Sequence, residues 1–424
     1  MRRTRYALSV GLCLFVLVTL GYYYAYASDE RLPSLKLETI EGDAKEGAAL
    51  SLIGSYHQSM QSRMLTVTTD GSEYAQRDTL VDLLPWERPW TPDSPDLKAI
   101  RKEHPNFMRG KGEPRGWYRD EEMLVYAAAD NGGSDGRIRL KVEVLNESSG
   151  KTKRYSVAVE DSQSYTYPYT ADVQRVGGQL HVLVFMQHTE VADRVRDAIG
   201  LNEVWDYVLD LEDGSLISRN NLTEGLKAES GVDAELRIAP IAEGSLAAPS
   251  EYALIEVTDI KVKQLAHNTQ EINNLGTRLY SYSYRTGERK LLVPFKTSAR
   301  GTGFMCKLYG NQVSVQQDGE TPGTFAWTLF DVATGEKKAD LTVTAEQLGG
   351  TDIGTVFIAH GRVYTLVHDT DSPLGGGGSM AAVLDAATGQ VLYRGKAVIA
   401  DPTRDGDKEW SRLELFSLSL RDES

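Results

Sequence analysis

The chain has 424 residues, of which 41% are hydrophobic and 25% are charged, and its formal net charge at pH 7 is −14. This composition excludes a disordered chain and indicates a globular protein with a core. The acidic excess excludes nucleic acid as a partner, because phosphate backbones bind basic surfaces, and it favours neutral or cationic partners. The only cysteines are Cys13 and Cys306, which excludes a disulfide-rich fold.

The N-terminus combines basic residues with an uncharged segment. Arg2, Arg3 and Arg5 precede residues 6–28, which carry no charge and are long enough for a helix that crosses a bilayer. Basic residues before such a helix hold the N-terminus inside, so the rest of the chain is expected outside the cytoplasm. We predict that residues 1–27 are a basic stub and a membrane anchor of a single-pass cell-membrane protein. The alternative is a signal peptide cleaved after Ala27, followed by secretion.

The next segments are linkers and connections. Residues 28–49 are polar and are predicted to be a stalk or an entry strand, and residues 50–424 form the main domain. Within it, residues 80–117 contain six prolines and three tryptophans, which predicts a structured loop across one face rather than regular strands. Residues 189–200 have the pattern of a short amphipathic helix capped by Thr189.

A turn of one design recurs five times in the main domain. In each copy a strand-like run ends in a polar stretch closed by glycine, and a second strand-like run follows. The copies are Leu145–Gly150, Leu209–Gly214, Tyr282–Gly287, Phe330–Gly335 and Leu384–Gly389. Glycine supplies the positive φ that such a turn needs. A shorter turn and an alternating apolar run precede three of the copies, at Gly177, Gly310 and Gly361, so each repeat predicts four antiparallel strands.

Repeats of this kind predict an all-β fold, a β-propeller of four-stranded antiparallel blades. The five repeats cover residues 118–160, 171–222, 235–296, 302–345 and 354–400. The alternating segment from Arg412 to Leu420 is expected to pair with strands in residues 50–77 and to close the ring. Six blades are predicted, or seven if the third repeat or residues 80–117 contain another.

The turns Phe330–Glu336 and Leu384–Gln390 resemble the Ala-x-Asp-x-x-Thr-Gly hairpin of quinoprotein-like β-propellers. This superfamily includes pyrroloquinoline-quinone dehydrogenases and bacterial outer-membrane assembly scaffolds. The resemblance covers two blades well and three loosely, and it implies a propeller. The chain lacks the docking tryptophan of these families near Leu392 and Tyr393, and it lacks the adjacent cysteines that hold the quinone. The resemblance therefore implies a non-catalytic branch without a quinone cofactor.

The sequence shows no nucleophile elbow, phosphate loop or zinc-hydrolase motif, so no catalytic residue is predicted. Seven histidines occur without metal-ligand spacing, at His57, His104, His181, His188, His267, His360 and His368. Of these, His181, His188 and His360 are expected in blade packing or at the surface, and His368 adjoins the first of two candidate cation loops. Two acidic, glycine-containing segments are candidate Ca²⁺ loops, formed by Asp369 and Asp371 and by Asp401, Asp405 and Asp407. A solvated loop is favoured for both, because Ca²⁺ loops place more oxygen ligands at tighter spacing.

Aromatic residues supply the remaining candidates. Tyrosines lie two apart in residues 165–169 and in residues 280–284, which in a strand places each set on one face. We predict packing between blades for both sets, with a glycan or peptide platform at the ring mouth as the alternative. Trp86 and Trp90, in the proline-rich segment, are the predicted exposed residues that bind a partner.

These features predict a binding module: an extracytoplasmic, membrane-tethered propeller that acts as a scaffold or sensor. Its partners would be other cell-envelope or membrane proteins, or a neutral or cationic ligand. The alternative is a hydrolase or lyase acting on glycans, with carboxylates from several blades in the central channel. Paired carboxylates with raised pKa values in the channel would favour the enzyme, and an apolar patch on one rim would favour the scaffold.

Overall fold

The computed structural model describes residues 12, 14–16, 18–19, 32–58, 61–75, 95–132, 137–188, 202–229, 235–241, 247–264, 270–296, 305–318, 321–369, 378–401 and 406–421. In this part of the chain, strands β1 to β25 form six antiparallel sheets, which are the blades of a propeller. The prediction of six four-stranded blades is confirmed.

Blades 2 to 4 are each built from four consecutive strands. Blade 2 consists of β5 (Trp117–Arg119), β6 (Met123–Gly132), β7 (Arg137–Asn146) and β8 (Thr152–Ala158). Blade 3 consists of β9 (Tyr165–Val176), β10 (Gln179–His188), β11 (Asn202–Asp210) and β12 (Leu216–Asn221). Blade 4 consists of β13 (Glu235–Ile241), β14 (Tyr252–Gln264), β15 (Gln270–Ser283) and β16 (Arg289–Lys296).

Blades 5 and 6 follow the same order. Blade 5 consists of β17 (Met305–Tyr309), β18 (Gln312–Asp318), β19 (Thr324–Asp331) and β20 (Lys337–Thr344). Blade 6 consists of β21 (Asp352–Ala359), β22 (Arg362–His368), β23 (Met380–Asp385) and β24 (Val391–Ile399). Short 3-10 helices occur at Ser162–Ser164 and Glu346–Leu348.

The first and last strands, β1 and β25, both lie where blades 6 and 1 meet. Blade 1 pairs the C-terminal β25 (Leu413–Leu420) with β2 (Leu50–Gln58), and β3 (Gln61–Thr68) and β4 (Gly71–Tyr74) follow outward. β1 (Leu35–Gly42) adds to the outer strand of blade 6, so part of the segment predicted as a stalk or an entry strand is an entry strand. Blades 6 and 1 then share one buried core.

The recurring glycine turns connect the third and fourth strands of blades 2 to 6. Gly150, Gly214, Gly287, Gly335 and Gly389 have φ between 66° and 74°. A side chain is strained in this region, which explains why glycine recurs there. In the two best copies the carboxylate of Asp331 or Asp385 accepts hydrogen bonds from the backbone N–H and the hydroxyl of the threonine three residues later.

The first strand of each blade is the inner one, because first strands of neighbouring blades such as β5 and β9, or β21 and β25, approach each other closely. Buried apolar clusters lie between blades 2 and 3, 3 and 4, 4 and 5, 5 and 6, and 6 and 1. Each cluster consists of side chains that alternate along the strands, as the sequence pattern predicts.

The face of blade 2 that points away from blade 3 is covered by two helices. α2 (Pro95–Glu103) and α3 (Pro105–Met108) belong to the tract that was predicted to be a loop, and they bury Leu97, Ile100 and Phe107 against β6 and β7. Two further short helices are α1 (Ala44–Ala48), after β1, and α4 (Gly406–Trp410), before β25. None of the helices in the described residues combines the length and the apolar character needed to cross a bilayer.

Candidate functional site: a charged cleft beside blade 2

A cleft of about 560 Å³ lies between α3 and the outer half of blade 2. One wall is formed by the end of α2, by α3 and by the segment that follows it. The other wall is formed by β7, β8 and the glycine turn between them. The strand positions alternate, so Glu143 and Leu145 of β7 and Thr152 and Arg154 of β8 face the cleft while the residues between them face blade 3.

One group of charges in the cleft is centred on Glu143. The carboxylate binds the Lys111 ammonium at 3.1 Å and the Arg154 guanidinium at 3.2 Å. The Lys111 side chain is only 7% exposed and its ammonium lies 4.2 Å from the centre of the Phe107 ring, whereas Arg154 is 75% exposed. Lys111 therefore connects Phe107 of α3 to Glu143 of β7 across the cleft, while Arg154 is available to a ligand.

A second group is centred on Glu147. Its carboxylate lies 3.1 Å from His104 and 3.1 Å from Arg119, and Arg119 also binds Glu103 at 2.6 Å. Arg109 lines the cleft as well and forms no ion pair within the described residues. Arg119 pairs with both Glu103 and Glu147 and so offsets part of their negative charge. The cleft therefore carries at least as much positive as negative charge, although the whole chain is strongly acidic.

A buried polar cluster lies between blades 3 and 4. The Asp206 carboxylate accepts hydrogen bonds from His181 Nδ1 at 2.8 Å and from the Tyr282 hydroxyl at 2.7 Å, and Asp172 accepts one from Tyr284 at 2.5 Å. Burial raises the pKa of Asp172. His181 is only 5% exposed and its Nε2 has no hydrogen-bond partner in the described part of the chain. His181 is buried and its ring contacts that of Tyr284 of blade 4, as expected for a histidine in blade packing.

The tyrosines of residues 280–284 confirm the packing prediction, since all three face the core between blades 3 and 4. Those of residues 165–169 do not share one face, so that part of the prediction was wrong, although Tyr165 and Tyr169 do pack between blades as predicted. β9 carries one extra residue opposite Phe185 and Gln187 of β10, which reverses the alternation. Tyr169 packs toward blade 4 and Tyr165 toward blade 2, while Tyr167 is 68% exposed with φ 49°.

Two carboxyl groups near these tyrosines have pKa values shifted in opposite directions. Burial raises the pKa of Glu113, which lies beside the backbone of Thr170 on the inner strand of blade 3. Burial acts in the same direction on Glu203, but hydrogen bonds from Tyr165, His188 and Trp205 outweigh it and lower the pKa of that carboxyl.

The remaining predicted site residues lie apart from the cleft. Trp86, Trp90, Asp371 and Asp405 are outside the described residues. Asp369 follows β22, Asp401 follows β24, and Asp407 lies in α4. Among the residues that the structure describes, no three His, Cys, Asp or Glu side chains come together in a way that could hold a metal ion. The solvated loops favoured at these segments, with Ca²⁺ binding as the alternative, stay a prediction.

The cleft was not predicted from the sequence, although the pattern of β7 contains one indication of it. Charged residues occupy every second position of β7 at Arg137, Arg139, Lys141 and Glu143, with apolar residues between them. Both faces of a strand within a propeller blade are normally packed against other blades, so this charged face of β7 indicates that no sheet packs on that side, and among the described residues two helices cover it.

No family model matches this chain, and no curated protein matches it. Similar solved structures include the acylaminoacyl peptidase of Pyrococcus horikoshii, with 12% identity over 85% of this chain and 48% of that chain and a TM-score of 0.33. Oligogalacturonate lyase in complex with manganese has 9% identity over 85% of this chain and 77% of that chain, with a TM-score of 0.32. The propeller domain of the trilobed protease from Pyrococcus furiosus has 10% identity over 65% and 82%, with a TM-score of 0.24.

This chain spans about half the length of the acylaminoacyl peptidase that it resembles. At these identities the likeness concerns the fold alone. The sheets themselves define the class: the protein is a six-bladed β-propeller with a charged cleft on the outer side of one blade.

Proposed function

We propose that this protein is a non-catalytic scaffold that binds a partner through the cleft beside blade 2. The observation that supports this role is the arrangement of charges in the cleft. Glu143 and Glu147 are held in ion pairs, while Arg109 and Arg154 are exposed at the opening. Fixed ion pairs with exposed arginines at their margin suit recognition of a partner, because arginine offers several directed hydrogen bonds.

We further propose that the propeller lies outside the cytoplasm, tethered by a helix within residues 6–28 or released by cleavage after Ala27. Its partners would then be cell-envelope or membrane proteins. The basic stub and the uncharged segment support this location. The two Asp-x-x-Thr-Gly turns support kinship with the non-catalytic branch of quinoprotein-like propellers.

The scaffold proposal is tested by placing a photo-crosslinking amino acid at Asn106, which lines the cleft, in the full chain in its own cells. We expect an adduct with a partner protein from this position. The matched control replaces Ile217, which is 48% exposed on the outer strand of blade 3, and should give none. Equal adducts from both positions, or none from Asn106, would contradict a binding role for the cleft.

A glycan-active enzyme is the second candidate, and Glu113 favours it because burial raises the pKa of that carboxyl, which is the direction that a general acid requires. Glu113 lies beside Thr170 and Glu203 binds Tyr165, so the two carboxyl groups are held by positions five residues apart on β9. An extended strand of that length spans at most roughly 16 Å, and the bulge in β9 shortens this span. Carboxyl pairs of glycosidases are about 5 to 9.5 Å apart. Release of reducing ends from cell-wall glycan by the purified protein, lost in Glu113→Gln, would establish the enzyme instead.

A further inference from the structure

In the part of the chain that the structure describes, the outer strand of blade 2 has an unpaired edge next to the cleft. Asn146 N donates to Lys151 O at 3.0 Å, and Val159 N donates to Ile138 O at 3.0 Å. In an antiparallel pair such bonded positions alternate, so the odd-numbered residues of β8 bond to β7. The N–H and C=O groups of the even-numbered residues therefore point away from the sheet, at Thr152, Arg154, Ser156 and Ala158. We call these four residues the β8 edge.

Within the described chain, the backbone of the β8 edge forms no hydrogen bonds. An unpaired strand edge presents backbone N–H donors and C=O acceptors at the spacing that another strand requires. Thr152 and Arg154 belong to this edge and also line the cleft with their side chains. The free edge and the cleft thus form one continuous surface, on which a strand could place alternate side chains toward Arg109 and Arg154.

The same chain already shows strand addition at an equivalent position. β1 joins the outer edge of blade 6 in antiparallel register, from Leu35 opposite Ile399 to Gly42 opposite Tyr393. An outer strand of this propeller therefore accepts a fifth strand. Blade 2 has the same order of strands and lacks that addition in the described residues.

The charges beside the β8 edge indicate the chemical character of the segment that would bind there. Arg154 is 75% exposed and shares Glu143 with Lys111, while Arg109 has no ion pair among the described residues. An extended segment with carboxylates at alternate positions would pair with both arginines, whereas a basic segment would meet them as like charges. The acidity of the whole chain predicts neutral or cationic partners, but the local charge here is the opposite.

We propose that an extended acidic segment of a partner protein binds along the β8 edge as a fifth strand of blade 2, with its carboxylates on Arg154 and Arg109. The proposal rests on the proposed role as a scaffold and specifies how the partner is held. Main-chain hydrogen bonds to the β8 edge would supply affinity, and the arginines would select acidic sequences.

The test uses the purified full chain and two fluorescent ten-residue peptides, one alternating Thr and Glu and the other alternating Thr and Lys. Ser156→Pro removes an outward N–H while leaving the bonds to β7, since proline is tolerated at the solvent side of an edge strand. Ser156→Ala is the matched control, because it keeps the N–H. We expect Ser156→Pro to bind the Glu peptide about tenfold more weakly than Ser156→Ala, through a lost hydrogen bond and a steric clash.

The selection of acidic peptides is tested separately with Arg154→Glu. This variant changes an exposed side chain, so its result does not depend on whether Ser156→Pro folds. We expect this variant to lose the Glu peptide and to gain the Lys peptide. Hydrogen exchange should slow at the amides of the β8 edge when the Glu peptide binds, and not at the odd-numbered amides of β8, which are already bonded.

Equal affinity of Ser156→Pro and Ser156→Ala for the Glu peptide would overturn strand addition, and equal affinity of the wild type for both peptides would overturn selection of acidic segments. Concentration-dependent dimers lost in Ser156→Pro would assign the edge to a second copy of the chain and also overturn the proposal. If the adduct from Asn106 persists unchanged in Ser156→Pro, the scaffold role stands and strand addition alone fails.

Discussion

At the scale of single residues, the polar groups between blades 3 and 4 depend on one another. The Asp172 carboxylate accepts hydrogen bonds from the side-chain amide of Gln174 and from the Tyr284 hydroxyl. Burial nevertheless raises the pKa of the Asp172 carboxyl and raises that of the Tyr284 hydroxyl well above its usual range. The charged carboxylate is therefore less favourable in the folded protein than in the unfolded chain.

Asp172→Asn is expected to change how stability depends on pH. A group whose folded pKa is raised contributes most stability below its unfolded pKa, and this contribution is lost as pH rises through the folded value. Asparagine cannot titrate, so the variant should gain stability relative to the wild type as pH rises above about 4. Urea unfolding between pH 4 and pH 7 measures the difference.

The control for this experiment is Asp213→Asn, at a fully exposed carboxyl whose pKa is lowered by hydrogen bonds from Ser215. The sign there is reversed: the wild type should lose stability relative to this variant as pH falls through the folded pKa. A pH-independent difference between Asp172→Asn and the wild type would mean that Asp172 does not titrate as described.

At the scale of elements, the seam between β25 and β2 depends on close approach of the two strands. The register shifts between Ile53 and Gly54, where the strands form a bulge. A Cβ atom at Gly54 would lie 2.3 Å from the carbonyl oxygen of Glu414 and 2.6 Å from a methyl group of Leu415. Glycine is needed here because of the neighbouring backbone, not because of a positive φ.

Gly54→Ala should therefore loosen the closing strand, at a cost of about 1–3 kcal/mol in the free energy of unfolding, as expected for overpacking in a core. Hydrogen exchange should become faster across β25 before it changes in blade 3. Gly178→Ala is the matched control, because a Cβ atom there meets nothing within 4 Å and its φ is not positive. Equal stability of both variants would show that the seam tolerates the added methyl group.

At the scale of the whole molecule, two distant parts of the chain are built into one core. Leu37 of β1 and Leu415 of β25 lie in the same buried cluster between blades 6 and 1, together with residues of β2, β3 and β22. The N-terminal strand reinforces blade 6 while the C-terminal strand completes blade 1. Opening at either end would expose that cluster, so the two ends should unfold together with the ring.

Leu37→Ala should lower the free energy of global unfolding by about 2–5 kcal/mol, the usual cost of truncating a buried leucine. Fluorescence and circular dichroism should report one shared transition in urea. Glu38→Ala, at an exposed position of the same strand, is expected to change stability by less than about 0.5 kcal/mol. An early separate transition in Leu37→Ala would mean that β1 unfolds independently of the ring.

The repeats, the number of blades and the closing strand could all be predicted from the sequence. These depend on local physics: glycine turns require a positive φ, and a strand with one buried face requires alternation. Such requirements are met by neighbours in the chain, so they leave a periodic pattern. The blade limits predicted from that pattern differ from the observed strands by a few residues, apart from the start of β9.

Which side chains meet across the molecule could not be predicted from the sequence. Because β9 contains one extra residue, Tyr165 and Tyr169 lie on opposite faces of the strand, and no local sequence pattern predicts such a bulge. The cleft joins Lys111 and Arg154 to Glu143, and the polar cluster joins Tyr284 to Asp172 across 112 residues of chain. Contacts of this kind depend on how blades and helices pack in three dimensions, because charges and hydroxyl groups that are far apart in sequence leave no shared period.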